Sequence, residues 1–226
     1  MTTDLLSIEG VCAGGMLLTA FFSMGRKRLP TVLRQYSISS ACLAGLIATH
    51  AVRTGHPAEY AGAIATILVK VIGIPWGIMS TARRLGEMMR LKPITRPVAS
   101  YTLAVAAVGG AYAMSRRLPL ALGPTLAAGR VIPLWSLVFV ALALIFLGFL
   151  MLIIRRDLFS QIIGFLTVEN GISAFAVVAL GGIPFLTEMG IFAAIGTGVL
   201  LMAILSQQVH SLYRSHDTAR LSDLID

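Results

Sequence analysis

Seven apolar stretches, each close to the length of a membrane-spanning helix, follow one another along the 226 residues. An α-helix needs about 20 consecutive apolar residues to cross a bilayer. Backbone polar groups find no partners in lipid, so such stretches cross as helices. The sequence therefore predicts an all-α fold, a polytopic membrane helix bundle of about seven transmembrane helices, over 5–24, 36–52, 58–82, 98–114, 131–154, 158–180 and 185–205.

Charged residues are too few to cover a water-soluble globule. Asp, Glu, Lys and Arg make up 12% of the chain, against roughly 25% in a typical soluble domain. The excess apolar surface must therefore face a lipid bilayer. The net charge of +8 does not indicate a nucleic-acid partner, because all but one of the Lys and Arg residues lie in short segments outside the apolar stretches, as the positive-inside rule describes.

The distribution of Lys and Arg predicts an N-out, C-in orientation. With the N-terminus outside, the inner segments carry 13 of these residues and the outer loops carry 4. The start of the chain lacks the basic region of a signal peptide, so we expect the first stretch to be retained as a span. Residues 1–226 are predicted to form a single integral membrane domain, in which 1–97 hold three spans and an inner loop and 98–130 hold a weaker fourth span and its loop.

Two ionisable residues lie at the centres of predicted spans. Glu169 is the midpoint of 158–180, about 16 Å from either helix end, too far for its side chain to reach the interface. Lys70 is the midpoint of 58–82. Ionisable groups at this depth are costly and are functional candidates by default. Glu169 is suited to proton uptake and release and Lys70 to a charge relay; the alternative for each is a structural role, as a hydrogen-bonded neutral acid and as a member of an ion pair.

Three more residues complete the predicted proton or ion pathway and its helix break. Asn170 follows Glu169 directly, and His50 lies near the outer end of the second span. A lone His in that position is more often a hydrogen-bonded interface residue than a relay. Pro75 removes a backbone hydrogen bond and is expected to break or kink the third span five residues after Lys70. Glu9, one turn into the first span, is expected to reach the interface.

The sequence contains no motif of a known active site. A Gly-rich phosphate loop, a nucleophile elbow and an HExxH motif are all missing, so no catalytic residue is predicted. Cys12 and Cys42 lie inside apolar stretches, without a CxxC motif or a His/Cys cluster. We therefore expect neither a disulfide framework nor a metal or iron–sulfur site, and no cofactor bound by this chain.

Spaced polar residues within the apolar background carry a family resemblance. Over nearly its whole length the chain resembles component E of hydrogenase-4 and formate-hydrogenlyase-like membrane complexes, the HyfE family. Residues 131–213 also resemble the three-helix K subunit of respiratory complex I and the Mrp antiporter C subunit, with 214–226 as a polar tail. The stretches concerned are Lys70-Val71, Ile74-Pro75, Thr81-Ala-Arg83, Arg155-Arg156-Asp157-Leu158, Gln161-Ile-Ile-Gly164-Phe165, Glu169-Asn170-Gly171 and Glu188-Met-Gly-Ile191.

The resemblance implies a non-redox membrane subunit of a complex-I-like, hydrogenase-type energy-converting complex in a bacterial or archaeal cell (inner) membrane. Such a subunit contributes residues, here Glu169 and Lys70, to a hydrophilic axis for proton or ion translocation. The implied partners are antiporter-like and complex-I-like membrane subunits and peripheral redox subunits, the latter carrying iron–sulfur clusters and a nickel–iron site. A subunit of a cation/proton antiporter, an independent transporter and a purely tethering subunit stay open as alternatives, as does the coupling ion.

Overall fold

The computed structural model describes residues 2–84, 97–118, 134–155 and 157–180, and every regular element within these ranges is a helix. The predicted all-α class is thus confirmed for the described part of the chain. The elements are α1 (Thr2–Ser23), α2 (Leu29–Thr54), α3 (Pro57–Thr66), the π-helix π1 (Ile67–Gly73), α4 (Ile74–Arg84), α5 (Pro97–Arg117), α6 (Leu134–Ile154), α7 (Leu158–Phe175) and the π-helix π2 (Ala176–Leu180).

Four of the described helices are long and apolar enough to cross a membrane. They match the predicted third to sixth spans and cover Pro57–Arg83, Pro97–Arg117, Trp135–Ile154 and Phe159–Val178. The first predicted span corresponds to α1, which contains a shorter apolar helix over Ile8–Ser23. The second lies within α2, which begins earlier, at Leu29. The seventh, 185–205, and the tail 214–226 lie outside the described residues, so the number of about seven and the N-out, C-in orientation stay predictions.

A tight turn joins α2 to α3. Gly55 has a φ of 70° and its N–H donates to the Ala51 carbonyl at 2.9 Å, which closes the last turn of α2. A left-handed residue at this position usually is glycine, because a side chain there clashes with the backbone. Pro57 then begins α3 with a φ already suited to a helix. The chain therefore reverses within two residues, and the first turn of α3 lies against the last turn of α2.

Helices α6 and α7 pack against each other along most of their length. Glycines permit this contact: a Cβ at Gly171 would lie 2.9 Å from the Ala141 carbonyl oxygen, and one at Gly148 would lie 2.7 Å from the Val168 nitrogen. Small residues let helix backbones approach closely inside a membrane. Since Gly171 directly follows Glu169 and Asn170, its contact with α6 fixes the rotation of α7 and turns those two side chains towards α2 and π1.

The buried guanidinium of Arg155 ties the end of α1 to the turn between α6 and α7. Its Nη2 donates to the carbonyls of Ser23, Met24 and Arg26 at 3.0, 2.9 and 2.8 Å. The last carbonyls of a helix have no partner within the helix, and a cation is favourable at that negative end. Burial lowers the pKa of the Arg155 guanidinium, partly opposed by the Asp157 carboxylate, yet an arginine remains charged in proteins.

Candidate functional site

A buried ion pair joins the two charged residues predicted at the centres of spans. The Lys70 Nζ lies 2.6 Å from Glu169 Oε1 and 2.5 Å from Oε2. Lys70 is completely buried and Glu169 is 6% exposed. The two residues lie 99 positions apart in the sequence. The structure thus brings Lys70 and Glu169 into contact, whereas the sequence predicted only how deep each residue lies in its span.

Hydrogen bonds extend this pair into a small network across three helices. The Asn170 Oδ1 accepts from Lys70 Nζ at 3.2 Å, and its Nδ2 donates to Ser40 Oγ at 2.9 Å. Ser173 donates to Glu169 Oε1 at 2.8 Å, whereas Oε2 contacts the ammonium but accepts no hydrogen bond. All five side chains are buried. We call Ser40, Lys70, Glu169, Asn170 and Ser173 the central network.

The π-helical geometry of π1 sets the position of Lys70. Lys70 is the buried residue of this segment, whereas its neighbours Leu68 and Ile72 are 59% and 57% exposed. Pro75, in the first turn of α4, has no N–H to offer the preceding turn. A wider π-turn is one way in which a helix accommodates such a lost bond. The interruption predicted at Pro75 therefore takes the form of a π-helix that leads into α4 without a break in the helix.

The central network contains one positive and one negative charge, and each depends on the other for its stability. A buried ammonium and carboxylate neutralise each other, and removing either leaves an uncompensated charge in a medium of low dielectric constant. A proton added to Glu169 therefore weakens its contact with Lys70. The loss of that contact in turn favours release of a proton from another group near the pair. Such a pair is chemically suited to respond to proton movement, and it contains no nucleophile with an activating base.

His50 lies near the end of α2, away from the central network. Its Nδ1 is 2.8 Å from Glu59 Oε2, which also accepts from the Thr54 hydroxyl at 2.8 Å. The α2–α3 turn creates this contact by returning Glu59 to the end of α2. Ten residues along α2 separate His50 from Ser40, or about 15 Å of helix. The structure therefore does not bring His50 to Lys70 and Glu169.

A second ion pair near His50 was not foreseen from the sequence. Glu9 was expected to reach the interface, but it is 2% exposed and its Oε1 accepts from Arg53 Nη1 at 2.9 Å. The signal in the sequence was Arg53 in the last turn of α2, opposite in charge to an acid near the start of α1. Ser40 and Ser173 were also missed, because serines are common on packed membrane helices and only their contacts single them out.

Sequence comparisons give a weak but extended similarity. No family model matches the chain, and no solved structure matches it significantly. The chain is 24% identical over 218 residues to an uncharacterized protein of Mycobacterium tuberculosis, covering 95% of this chain and 94% of that one. It is 24% identical over 216 residues to hydrogenase-4 component E of Escherichia coli, covering 94% and 93% of the two chains, and equally to that of Shigella flexneri.

These matches span nearly all of both chains, so they concern the whole protein and not one motif. They support the resemblance to hydrogenase-4 component E, whereas the resemblance to the complex I and Mrp subunits stays a prediction. Together with the apolar helices, the similarity marks the chain as a membrane protein related to a component of a hydrogenase complex.

Proposed function

We propose that this chain is a non-redox membrane subunit of a hydrogenase-type energy-converting complex and that its central network takes part in proton translocation. The observation that carries the proposal is the buried contact of Lys70 with Glu169. A structural ion pair is a poor way to stabilise a helix bundle, since well-packed apolar residues often stabilise it as well or better. Its placement at the centre of two spans is therefore better explained by a role in moving charge.

The division of labour follows from the side chains of this subunit. Electron transfer takes place in partner subunits, which supply the iron–sulfur and nickel–iron chemistry. Here a change of charge in the neighbouring membrane subunits shifts the proton between the Glu169 carboxylate and its surroundings. Lys70 stabilises the ionised acid, and Asn170 still accepts a hydrogen bond from the ammonium when the carboxylate is neutral. The neutral and ionised states of Glu169 then differ in which side chain binds Lys70 more strongly.

Membership of such a complex is tested by purification in mild detergent of a tagged copy of the chain at its native expression level. We expect mass spectrometry to find antiporter-like membrane subunits together with iron–sulfur and nickel-bearing subunits. Recovery of the chain alone or as a homo-oligomer would contradict the proposal and point to an independent transporter.

The role of the central network is tested by Glu169→Gln in inverted membrane vesicles that contain the complete complex. Glutamine keeps the size of the side chain and an acceptor for Lys70 but cannot ionise. We expect electron transfer to continue while the number of protons translocated per electron falls at least threefold. Glu9→Gln is the matched control, because Glu9 is also buried and ion-paired but lies outside the central network. Unchanged translocation in the Glu169 variant would refute the proposed role.

A further inference from the structure

A small polar cavity lies between α1, α2 and α7, beside the central network. Its volume is about 10 Å³, which is close to the room that one water molecule needs. Six of the nine residues around it carry hydroxyl or amide side chains, and these six come from all three helices. These residues are Thr19, Ser23, Gln35, Tyr36, Ser39 and Thr167.

The lining offers hydrogen-bonding groups that have no partner among the described residues. The Tyr36 hydroxyl, the Ser39 hydroxyl and Gln35 Oε1 have no hydrogen-bond partner, although Tyr36 and Ser39 are only 3% and 4% exposed. Such buried polar atoms are rare in proteins, and most of them bind ordered water. The cavity therefore combines the size of a water molecule with unsatisfied groups from α2.

The hydroxyls contributed by α1 and α7 are arranged as acceptors. Thr19 donates to the Gly15 carbonyl at 2.7 Å, Ser23 to that of Ala20 at 2.6 Å, and Thr167 to that of Ile163 at 2.7 Å. Each hydroxyl hydrogen is thus used within its own helix, which leaves the oxygen lone pairs available. A water molecule has two hydrogens to donate and can accept from Tyr36 or Ser39, so the lining matches its bonding capacity.

The cavity lies on the way from the central network to the end of α1. Tyr36 and Ser40 are both buried and lie four residues apart on α2, so their side chains share one face of that helix, one turn apart. At the other side, the Ser23 backbone carbonyl accepts from Arg155. Along α2, Gln35 and Ser40 lie about 9 and 16 Å from Leu29, at 1.5 Å per residue.

We propose that this cavity binds an ordered water that connects the central network, from Ser40 through Tyr36, to the end of the bundle where α1 finishes and α2 begins. The branch passes through groups that both donate and accept, namely the Tyr36 hydroxyl, the water and the Ser39 hydroxyl. A sodium ion fits the cavity less well, since none of the described lining residues is a carboxylate. This inference rests on the proposed function for the use of the branch by protons, but the bound water is a separate claim.

The water is tested directly by X-ray radiolysis of the purified complex in H₂¹⁸O, which labels side chains next to bound or bulk water. We expect ¹⁸O at Tyr36 in spite of its burial, with Tyr60, which is 43% exposed at the start of α3, as the internal reference. Ser39→Val fills the cavity and should lower Tyr36 labelling at least fivefold without changing that of Tyr60. Absence of label at Tyr36 in the unaltered chain, with Tyr60 labelled, overturns the inference.

The branch is tested by proton translocation in vesicles that contain the whole complex. Ser39→Val should lower the number of protons per electron at least threefold, while Ser37→Val, two residues earlier on the same helix and outside the cavity, leaves it unchanged. Tyr36→Phe provides a second variant that keeps the ring and removes only the hydroxyl, with Tyr112→Phe on α5 as its control. Loss of translocation in Glu169→Gln but normal values in Ser39→Val and Tyr36→Phe overturns the branch alone; normal values in all three overturn the proposed function.

Discussion

Lys70 and Glu169 meet across the centre of the bundle, with Nζ 2.6 Å from Oε1, although 99 positions separate them in the chain. The contact joins π1 to α7, and Asn170 links both to α2 through Ser40. The stability of the helix bundle and the charge state of its centre therefore depend on the same few atoms. Variants of this pair should affect both properties.

Removing one partner of the pair should destabilise the protein more than removing both. Lys70→Met or Glu169→Leu alone leaves a buried charge without its counter-charge, which typically costs about 3–5 kcal/mol. The double variant leaves no charge, so it should lose less stability than either single variant and far less than the sum of the two single losses. Unfolding of the purified protein in detergent, analysed as a double-mutant cycle, measures this coupling. Additive losses would show that the two charges do not interact.

Gly15→Ala should destabilise the contact between α1 and α2, whereas Gly14→Ala should not. A Cβ at position 15 would lie 2.9 Å from Cys42 Sγ, while one at position 14 meets nothing within 4 Å. Overpacking of this kind costs about 1–3 kcal/mol, and thermal unfolding in detergent is the measurement.

The double variant Gly15→Ala/Cys42→Ala supplies the control for this steric explanation. Removal of the sulfur makes room for the added methyl group, so we expect most of the lost stability to return. If Gly15→Ala is as stable as Gly14→Ala, α1 and α2 do not approach each other as closely at Gly15 as the structure indicates.

Arg155→Lys should weaken the contact between Arg155 and the end of α1, although the substitution keeps the positive charge. A lysine lacks the planar guanidinium that reaches the carbonyls of Ser23, Met24 and Arg26 together. We expect a loss of about 1.5–3 kcal/mol, the range for a hydrogen bond to a charged group, in thermal unfolding. Arg117→Lys is the control, because Arg117 is exposed at the end of α5. Equal stability of the two variants would contradict the role of Arg155.

The predicted orientation places the α1–α2 and α2–α3 connections on opposite sides of the membrane. Lys27 and His56 are exposed in these two connections. In a background with Cys12→Ala and Cys42→Ala, we expect a membrane-impermeant maleimide to label His56→Cys in intact cells. Lys27→Cys should be labelled only in inverted vesicles. The reverse pattern would show that the N-terminus faces inwards.

The depth of the two central charged residues within their spans could be predicted from the sequence, but their contact with each other could not. Glu169 and Lys70 stand out because each interrupts the middle of an apolar stretch, and the helical rise alone gives their distance from the interface. Their contact depends on how α7 and π1 face each other, and this is set by packing such as that of Gly171 against α6. For the same reason, the sequence did not predict that Glu9 is buried in contact with Arg53.

The π-helix was beyond sequence reasoning for a different reason. Pro75 predicts a missing backbone hydrogen bond in the helix. The chain can adapt to this loss in several ways, including a kink, a bound water and a wider turn. Which of them occurs depends on the neighbours of Lys70, and these become known only in the folded bundle.

Asn170 gives the central network a fixed polarity. A hydroxyl can exchange the roles of donor and acceptor, whereas a side-chain amide keeps its oxygen as acceptor and its nitrogen as donor. Here the oxygen faces the ammonium of Lys70 and the nitrogen faces Ser40. The amide thus acts as a spacer with a direction: its acceptor end faces the charged pair and its donor end faces the Ser40 hydroxyl of α2.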